Sequence, residues 1–168
     1  MRAEDIPANA RVAVDANVLI YHFTGASQQC RAFLSRCQAR EIGGFCPSHI
    51  ALEALHRLMM VEAVSSGVVG TSPARKLSQA PERVKGLRSS YVHFEMLAAF
   101  GIEVLDLSAR AVSRTPWWSL QYGMLANDAG LLAAMEDHRL THLVTADRQF
   151  VGISSIRTWL IDDLGVSP

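Results

Sequence analysis

The chain has 168 residues, 49% of them hydrophobic and 19% charged, and this composition excludes an intrinsically disordered protein, which would be poor in apolar residues. Sixteen basic and sixteen acidic residues cancel, so the chain lacks the overall positive field of a nonspecific nucleic-acid binder, and any contact with nucleic acid must be a local patch. The polar N-terminus and the lack of an apolar stretch of about 20 residues argue against secretion and against a membrane partner.

Length and cysteine content add two expectations. A chain of this length falls within the range of one compact domain, so we expect a single domain over residues 1–168. The three cysteines, Cys30, Cys37 and Cys46, form no CxxC pair, and their odd number argues against a closed disulfide framework. A reducing, cytoplasmic location is therefore expected.

The start of the chain predicts one strand and two helices. The apolar residues 12–14 favour a short buried strand, and Asp15 stands where that strand should end. A brief helical segment is predicted over residues 18–21, and Gly25 signals its end. Residues 28–41 predict a longer helix.

The middle of the chain combines a strand, a helix and a basic stretch. Residues 43–48 predict a short strand and then a helix that Ser48 would cap, with Ile50 and Leu58 near one apolar face. Glu53 lies within the first two turns of this helix. Residues 65–72 are rich in Gly and Ser. Residues 75–88 carry five basic residues against Glu82 alone, which makes this stretch the best candidate for a basic face, although such stretches are more often solvated surface.

The second half of the chain repeats the alternation of helix and strand. Apolar residues recur at helical spacing from 87 to 98, and Gly101 predicts a helix end before a strand over residues 102–107. Ser108 would cap a further helix that Pro116 interrupts, and Asp128 would open the next one. Residues 141–145 predict the last strand.

Short strands rich in Val, Ile and Leu thus alternate with helices, which is the pattern of crossover units around a parallel sheet. The sequence predicts an α/β fold: a three-layer α/β/α sandwich with a central, mostly parallel sheet. No repeat, low-complexity tract or long linker divides the chain.

Two of the predicted strands finish on an aspartate. The segment RVAVD ends at Asp15 and THLVTAD ends at Asp147, and open parallel sheets place their ligand sites at the carboxyl ends of the strands. Carboxylates gathered in one pocket repel each other, so they are tolerated chiefly where a cation binds or protons are taken up. Oxygen-only ligands favour Mg²⁺ or Mn²⁺, which would hold a phosphodiester and lower the pKa of a bound water.

Four separated segments together resemble one known family. They are Val-Ala-Val-Asp15-Ala-Asn17-Val-Leu-Ile-Tyr, Pro47-Ser-His-Ile-Ala-Leu-Glu53, Asn127-Asp128-Ala-Gly-Leu-Leu-Ala-Ala and Leu143-Val-Thr145-Ala-Asp147-Arg-Gln-Phe. In order and context they are similar to the PIN domain, over about residues 12–150, and closely similar to the VapC-type toxin nucleases within that family.

The resemblance implies a PIN-like fold and a metal-dependent endoribonuclease, the toxin of a toxin–antitoxin pair, with a structured RNA substrate, an antitoxin partner and a homodimer. The implied ligands of Mg²⁺ or Mn²⁺ are Asp15, Glu53, Asp128 and Asp147. Asn17 and Thr145 would position the first and last carboxylates or the attacking water. The stretch between residues 65 and 90 is longer than in the smallest toxins, and the chain carries no antitoxin segment of its own.

Each of these residues also has an ordinary structural interpretation. The three aspartates could cap helices, and Glu53 could pair with Arg57 one turn away. Asn17 and Thr145 are common types at turns and strand ends.

Three other functions compete with the nuclease. A phosphohydrolase of the haloacid-dehalogenase type also starts with an aspartate after its first strand, but it needs a second aspartate where this chain has Asn17. A receiver-like domain needs a lysine after the last strand, and none follows here. A PIN-like scaffold that binds RNA or protein without cutting stays open, because fold alone does not establish function. The presence of all four acids favours catalysis over the scaffold.

Overall fold

A parallel sheet forms the centre of the protein. The computed structural model describes residues 1–67 and 73–164. The strands in these ranges are β1 (Arg11–Val14), β2 (Gly43–Pro47), β3 (Ile102–Leu105), β4 (His142–Thr145) and β5 (Arg157–Leu160), in the spatial order β3-β2-β1-β4-β5. All four neighbouring pairs are parallel. The predicted parallel sheet is therefore confirmed.

Helices flank this sheet. They are α1 (Ala16–Phe23), α2 (Gln28–Gln38), α3 (Ser48–Ser65), α4 (Pro73–Ser78), α5 (Pro81–Gly86), α6 (Ser89–Ala99), α7 (Ala109–Tyr122) and α8 (Ala126–Asp137), with 3-10 turns at Ala3–Asp5 and Arg148–Phe150. The chain runs from β1 outward to β3 and then returns to β4 beside β1. Because crossovers between parallel strands are right-handed, the connections through α1–α2 and α3–α6 lie on one side of the sheet, and the connection through α7 and α8 lies on the other. This is the expected three-layer sandwich.

The core is built on the central strands. Val12, Ala13 and Val14 of β1 have no accessible surface, and neither have Leu143 and Val144 of β4, as expected for strands covered on both faces. The three cysteines are free and buried. Within the two described ranges, no helix combines the length and the apolar character that crossing a membrane requires.

Several predicted boundaries were wrong in detail. The second helix ends at Gln38 rather than 41, and Arg40 just beyond it takes a positive φ of 58°. Ser48 is the first residue of α3 rather than its cap, and Pro47 takes the capping position without a side-chain hydrogen bond. Asp128 is the third residue of α8, and Leu125 precedes the helix at the capping position. Both helices therefore start without the side-chain cap on which the predictions relied.

Helix α7 bears out one prediction and corrects another. The Ser108 hydroxyl accepts a hydrogen bond from the Ala111 N–H, so Ser108 caps the helix as predicted. Pro116 does not interrupt the helix. Proline removes one backbone donor, but Pro116 lies on the exposed side, while Trp118 beyond it is buried in the core and keeps the last turns in place.

One strand and two α-helices among the described elements were not predicted. Strand β5 has only four residues, and α4 and α5 have six each, which is too short for a clear hydrophobic period. The Gly- and Ser-rich stretch 65–72 is described only as far as Gly67, so the prediction for residues 68–72 lies outside the described residues.

Candidate functional site

The order of the strands creates a crevice at one edge of the sheet. β1 leads outward to β2 on one side, whereas β4 lies on its other side. Such a reversal leaves an opening beyond the carboxyl ends of the two central strands, which is where open α/β sheets bind ligands. Asp15 follows β1 and Asp147 follows β4. The topology therefore brings the two strand-end aspartates to the same crevice.

A cleft of about 560 Å³ occupies this position, and five of the six predicted site residues line it: Asp15, Asn17, Glu53, Asp128 and Asp147. Thr145 has no accessible surface and lies behind Asp15. Helix α1 starts directly after β1 and α3 directly after β2, so their N-termini, with their partial positive charge, lie at this edge of the sheet. Four carboxylates from distant parts of the sequence thus share one crevice.

The carboxylate of Asp15 is fixed by three hydrogen bonds. Its Oδ1 accepts from the Ala16 N–H at 2.7 Å, and its Oδ2 accepts from Asn17 Nδ2 and from Thr145 Oγ1, both at 2.6 Å. Asp15 therefore caps α1, which is the ordinary structural role that the sequence also allowed for it. Capping and ligand binding are compatible, because each carboxylate oxygen has two lone-pair sites.

Thr145 is the centre of this network. Its hydroxyl donates to Asp15 and accepts from Asn17 Nδ2 at 3.1 Å and from the Asp147 N–H at 2.9 Å. A hydroxyl has one donor and two acceptor positions, so the hydrogen-bonding capacity of the Thr145 side chain is fully satisfied. Asn17 also accepts from the Ala146 N–H at 3.0 Å, which ties α1 to the end of β4.

The carboxylate of Asp147 is held by Gln149. Oδ1 accepts from the Gln149 N–H at 2.8 Å, and Oδ2 accepts from the Gln149 side-chain amide at 2.9 Å. Asp147 thereby caps the 3-10 turn that follows β4. Gln149 was not among the predicted site residues, although its place two residues after a strand-end aspartate is the usual spacing for such a turn.

Glu53 faces the cleft from α3. The Asn127 side-chain amide at the start of α8 donates a short hydrogen bond to Glu53 Oε2. The Arg57 guanidinium lies 3.9 Å from Glu53 Oε1, so the predicted ion pair is present but loose. Asn127 was part of one of the four family-like segments but was not a predicted site residue, because nothing local in the sequence connects it with Glu53, 74 positions earlier.

Asp128 is the least constrained of the four acids. It lies in the first turn of α8, where the helix dipole favours a negative charge. Among the described residues, no hydrogen bond to its carboxylate is present, and no salt bridge either. Its side chain is half-buried in the cleft wall, so it is free to take an additional ligand.

The electrostatics of the cleft are dominated by negative charge. The pKa of Asp15 is raised to about 6, chiefly by burial and to a smaller extent by the neighbouring carboxylates of Asp128 and Glu53, while the hydrogen bonds from Thr145 and Ala16 act to lower it. Arg57 is the one basic residue among the described residues that line the cleft. A cleft lined by four acids and one base favours a bound cation.

The residues fit a hard divalent cation in their chemistry. Carboxylate and amide oxygens are the donors that Mg²⁺ and Mn²⁺ prefer. In the described parts of the chain, no three His, Cys, Asp or Glu side chains already form a closed cluster of ligands. Side-chain hydrogen bonds from Asn127 and Gln149 hold the carboxylates of Glu53 and Asp147, respectively.

Comparison with known proteins decides the family. The model of the PIN domain matches residues 12–155. The chain belongs to the PIN-domain family. Membership excludes the phosphohydrolase and receiver interpretations of the strand-end aspartate. No curated protein matches the chain.

Solved structures support the PIN fold. The VapBC2 complex of Rickettsia felis, bound to a DNA fragment from its promoter, gives a TM-score of 0.59 at 14% identity, covering 90% of this chain and 99% of that one. The sarcin–ricin loop cleaving toxin VapC20 of Mycobacterium tuberculosis gives a TM-score of 0.55 at 12% identity, covering 87% of this chain and 98% of that one. A toxin–antitoxin complex from Klebsiella pneumoniae gives a TM-score of 0.52 at 21% identity, covering 88% of this chain and 96% of that one. At such identities the likeness shows the fold alone.

Proposed function

We propose that this PIN-domain protein is a divalent-metal-dependent endoribonuclease that hydrolyses RNA phosphodiester bonds. The observation that carries the proposal is the convergence of Asp15, Glu53, Asp128 and Asp147 on one cleft at the switch point of the sheet. A purely structural set of caps would not need four acids to face each other, because that arrangement costs electrostatic free energy.

The four carboxylates are the ligands that would hold Mg²⁺ or Mn²⁺. An ion held there would supply Lewis acidity for activating water and for offsetting negative charge on the phosphate. Asn17 and Thr145 orient the Asp15 carboxylate, and Thr145 also fixes the Asp147 backbone. Asn127 orients Glu53. These contacts restrain the carboxylates of Asp15 and Glu53 and the backbone of Asp147 at the cleft.

The proposed biological role is that of the toxin component of a toxin–antitoxin system. The solved structures similar to this chain include toxin–antitoxin complexes from Klebsiella pneumoniae and Rickettsia felis, and this supports an antitoxin protein as partner. We further propose that the chain acts in the cytoplasm as a single PIN domain over residues 1–168 and as a homodimer. The alternative is a PIN scaffold that binds RNA or protein without cutting it.

The test is cleavage of total cellular RNA by the purified protein in Mg²⁺, Mn²⁺ or EDTA. Wild type is compared with Asp15→Asn and Asp147→Asn, and Glu103→Gln, an exposed acid on β3 outside the cleft, is the matched control. Discrete fragments that require the metal and disappear in both aspartate variants, but not in the control, are the expected result. Intact RNA with either metal, together with no metal binding by calorimetry, would leave the scaffold as the function.

A further inference from the structure

The basic stretch between α3 and α6 has a separate structural basis. Helices α4 and α5 pack on α3 through a small core of Ala63, Leu77 and Leu87, against which Met59, Met60, Val84 and Tyr91 are packed. This cluster is distinct from the main core around the sheet. Leu77 of α4 and Val84 of α5 therefore face this small core, whereas Arg75, Lys76 and Lys85 on the same helices are exposed.

That surface is strongly positive. Residues 75–88 carry five basic side chains and one acid, and Glu82 is paired with Lys85 at 2.7 Å. The exposed side chains of Arg75, Lys76 and Arg88 have no ion-pair partner in the described part of the chain. We call these three residues the basic arm.

The nearest acid on α3 does not neutralise the basic arm. Both oxygens of Glu62 accept backbone N–H groups at the start of α6: Oε1 from Arg88 and Ser89 at 2.7 and 3.0 Å, and Oε2 from Ser90 at 2.8 Å. The Glu62 carboxylate is thus used as a helix cap, and it also fixes the backbone that carries Arg88.

The basic arm adjoins the acidic cleft. Met60 both lines the cleft and packs against the small core under α4 and α5. Along α3, Glu53 and Ala63 are about 15 Å apart at the ordinary helical rise, and Arg57 lies between them with an exposed side chain in the cleft. Arg57 at the cleft and the basic arm beside the small core are therefore separated by a length of α3 that a few nucleotides span.

We propose that the basic arm, together with Arg57, binds the phosphate backbone of the RNA substrate beside the acidic cleft. This rests on the proposed function and extends it to how the substrate is held. The chemistry favours RNA over a protein partner, because Arg75, Lys76 and Arg88 are exposed cations with no ion-pair partner among the described residues, whereas protein interfaces centre on apolar and aromatic anchors. Cationic side chains without an ion-pair partner bind phosphates favourably, because this binding releases the counterions condensed on the nucleic acid.

The inference also accounts for a chain with no net charge. Four acids are concentrated in the cleft, where they repel a phosphodiester, and the basic arm supplies the local attraction that the whole molecule lacks. The contacts involve backbone phosphates only, so they fix the position of the RNA without reading its sequence.

The experiment measures RNA binding without cleavage. A fluorescein-labelled RNA hairpin with single-stranded tails is titrated in EDTA, by anisotropy, over roughly 50 to 200 mM salt. The test variant is Arg75→Gln/Lys76→Gln/Arg88→Gln. The control is Arg40→Gln/Arg139→Gln/Arg157→Gln, which makes the same charge change at three exposed arginines beside the amino ends of β2, β4 and β5, the edge of the sheet opposite the cleft.

The expected result is a Kd raised about tenfold or more for the test variant and a slope of log Kd against log salt that is smaller by about 2. The control should bind as wild type does, and Arg57→Gln added to the test variant should weaken binding further. Equal losses in both triple variants, or none in the test variant, would overturn the inference and leave the basic arm to another partner or to solvent. If the expected binding pattern is found while RNA is never cut, the proposed function fails, and the basic arm is an RNA-binding surface of a protein that does not cleave RNA.

Discussion

Thr145 shows how one buried side chain joins three site residues. Its hydroxyl contacts Asp15, Asn17 and the backbone of Asp147, and it has no accessible surface. Thr145→Val keeps the shape but leaves these groups unpaired, so we expect a loss of about 2 kcal/mol in the free energy of unfolding, together with weaker metal binding. Thr145→Ser keeps the hydroxyl and should retain metal binding. Urea unfolding and calorimetry compare the two, and equal metal affinity for both variants would contradict this role.

Asn127 provides a second prediction at this scale. Its amide donates to Glu53 from across the cleft, so Asn127→Ala should free the Glu53 carboxylate to swing away from the cleft. Changes in residues that orient a metal ligand typically cost about 10- to 100-fold in metal affinity or activity. We expect a loss in that range, measured by calorimetry with Mn²⁺ and by the rate of RNA cleavage. Gln121→Ala, an exposed amide on α7, is the control, and an unchanged Asn127→Ala would remove Asn127 from the site.

Among the secondary-structure elements, the junction of α3 and α6 has a distinct pH dependence. Partial burial tends to raise the pKa of Glu62, but the backbone N–H groups of Arg88, Ser90 and Ser89 lower it to about 2, from an ordinary 4.5. A depressed folded-state pKa contributes stability that is present above about pH 4.5 and lost as the pH falls toward 2.

Glu62→Gln should therefore cost about 1 kcal/mol at neutral pH, and this difference from wild type should vanish on acidification. Glu95→Gln, an exposed acid on α6, controls for the loss of a carboxylate. Denaturant unfolding between pH 7 and about pH 2.5 measures both variants. A difference that stays constant over this range would mean that Glu62 acts through packing rather than charge.

The contact between α3 and α8 gives another prediction. A Cβ added at Gly130 would lie 3.2 Å from His49 Nε2, and neither ring nitrogen of His49 has a hydrogen-bond partner in the described residues. Gly130→Ala should cost about 1 kcal/mol or more by overpacking. In a His49→Ala background the same change should instead stabilise by up to about 1 kcal/mol, since alanine favours the helix. Equal effects in both backgrounds would rule out this contact as the reason for glycine.

The sequence indicated most of these elements, but not all of their ends. The apolar runs of β1 and β4 and the aspartates after them were identifiable because strand ends in parallel sheets have a known relation to ligand sites. The starts of α3 and α8 were misplaced because Ser48 and Asp128 are favourable capping types that the fold uses otherwise. The Asn127–Glu53 contact depends on how α8 packs beside α3, which no local pattern encodes.

At the scale of the whole molecule, acidic and basic residues are equal in number but are concentrated in different parts of the structure. Acids gather at the switch point, where β1 and β4 end, and the basic arm lies on α4 to α6. The cleft places like charges together, so without a cation it works against the folded state. The folded protein is therefore expected to gain stability from the cation that the cleft would bind.

This gain is measurable as a shift in Tm. A ligand that binds only the folded state at about 100 times its Kd adds about 2.7 kcal/mol, which for a chain of this size corresponds to a rise of roughly 5 to 10 °C. Wild type should show such a rise with Mn²⁺ or Mg²⁺, and Asp128→Asn should show little of it, because its carboxylate is the one with no other hydrogen bond among the described residues. Glu103→Gln should respond as wild type does. A rise of the same size in Asp128→Asn would place the cation elsewhere, whereas no rise in wild type would show that the four carboxylates coexist in the fold without one.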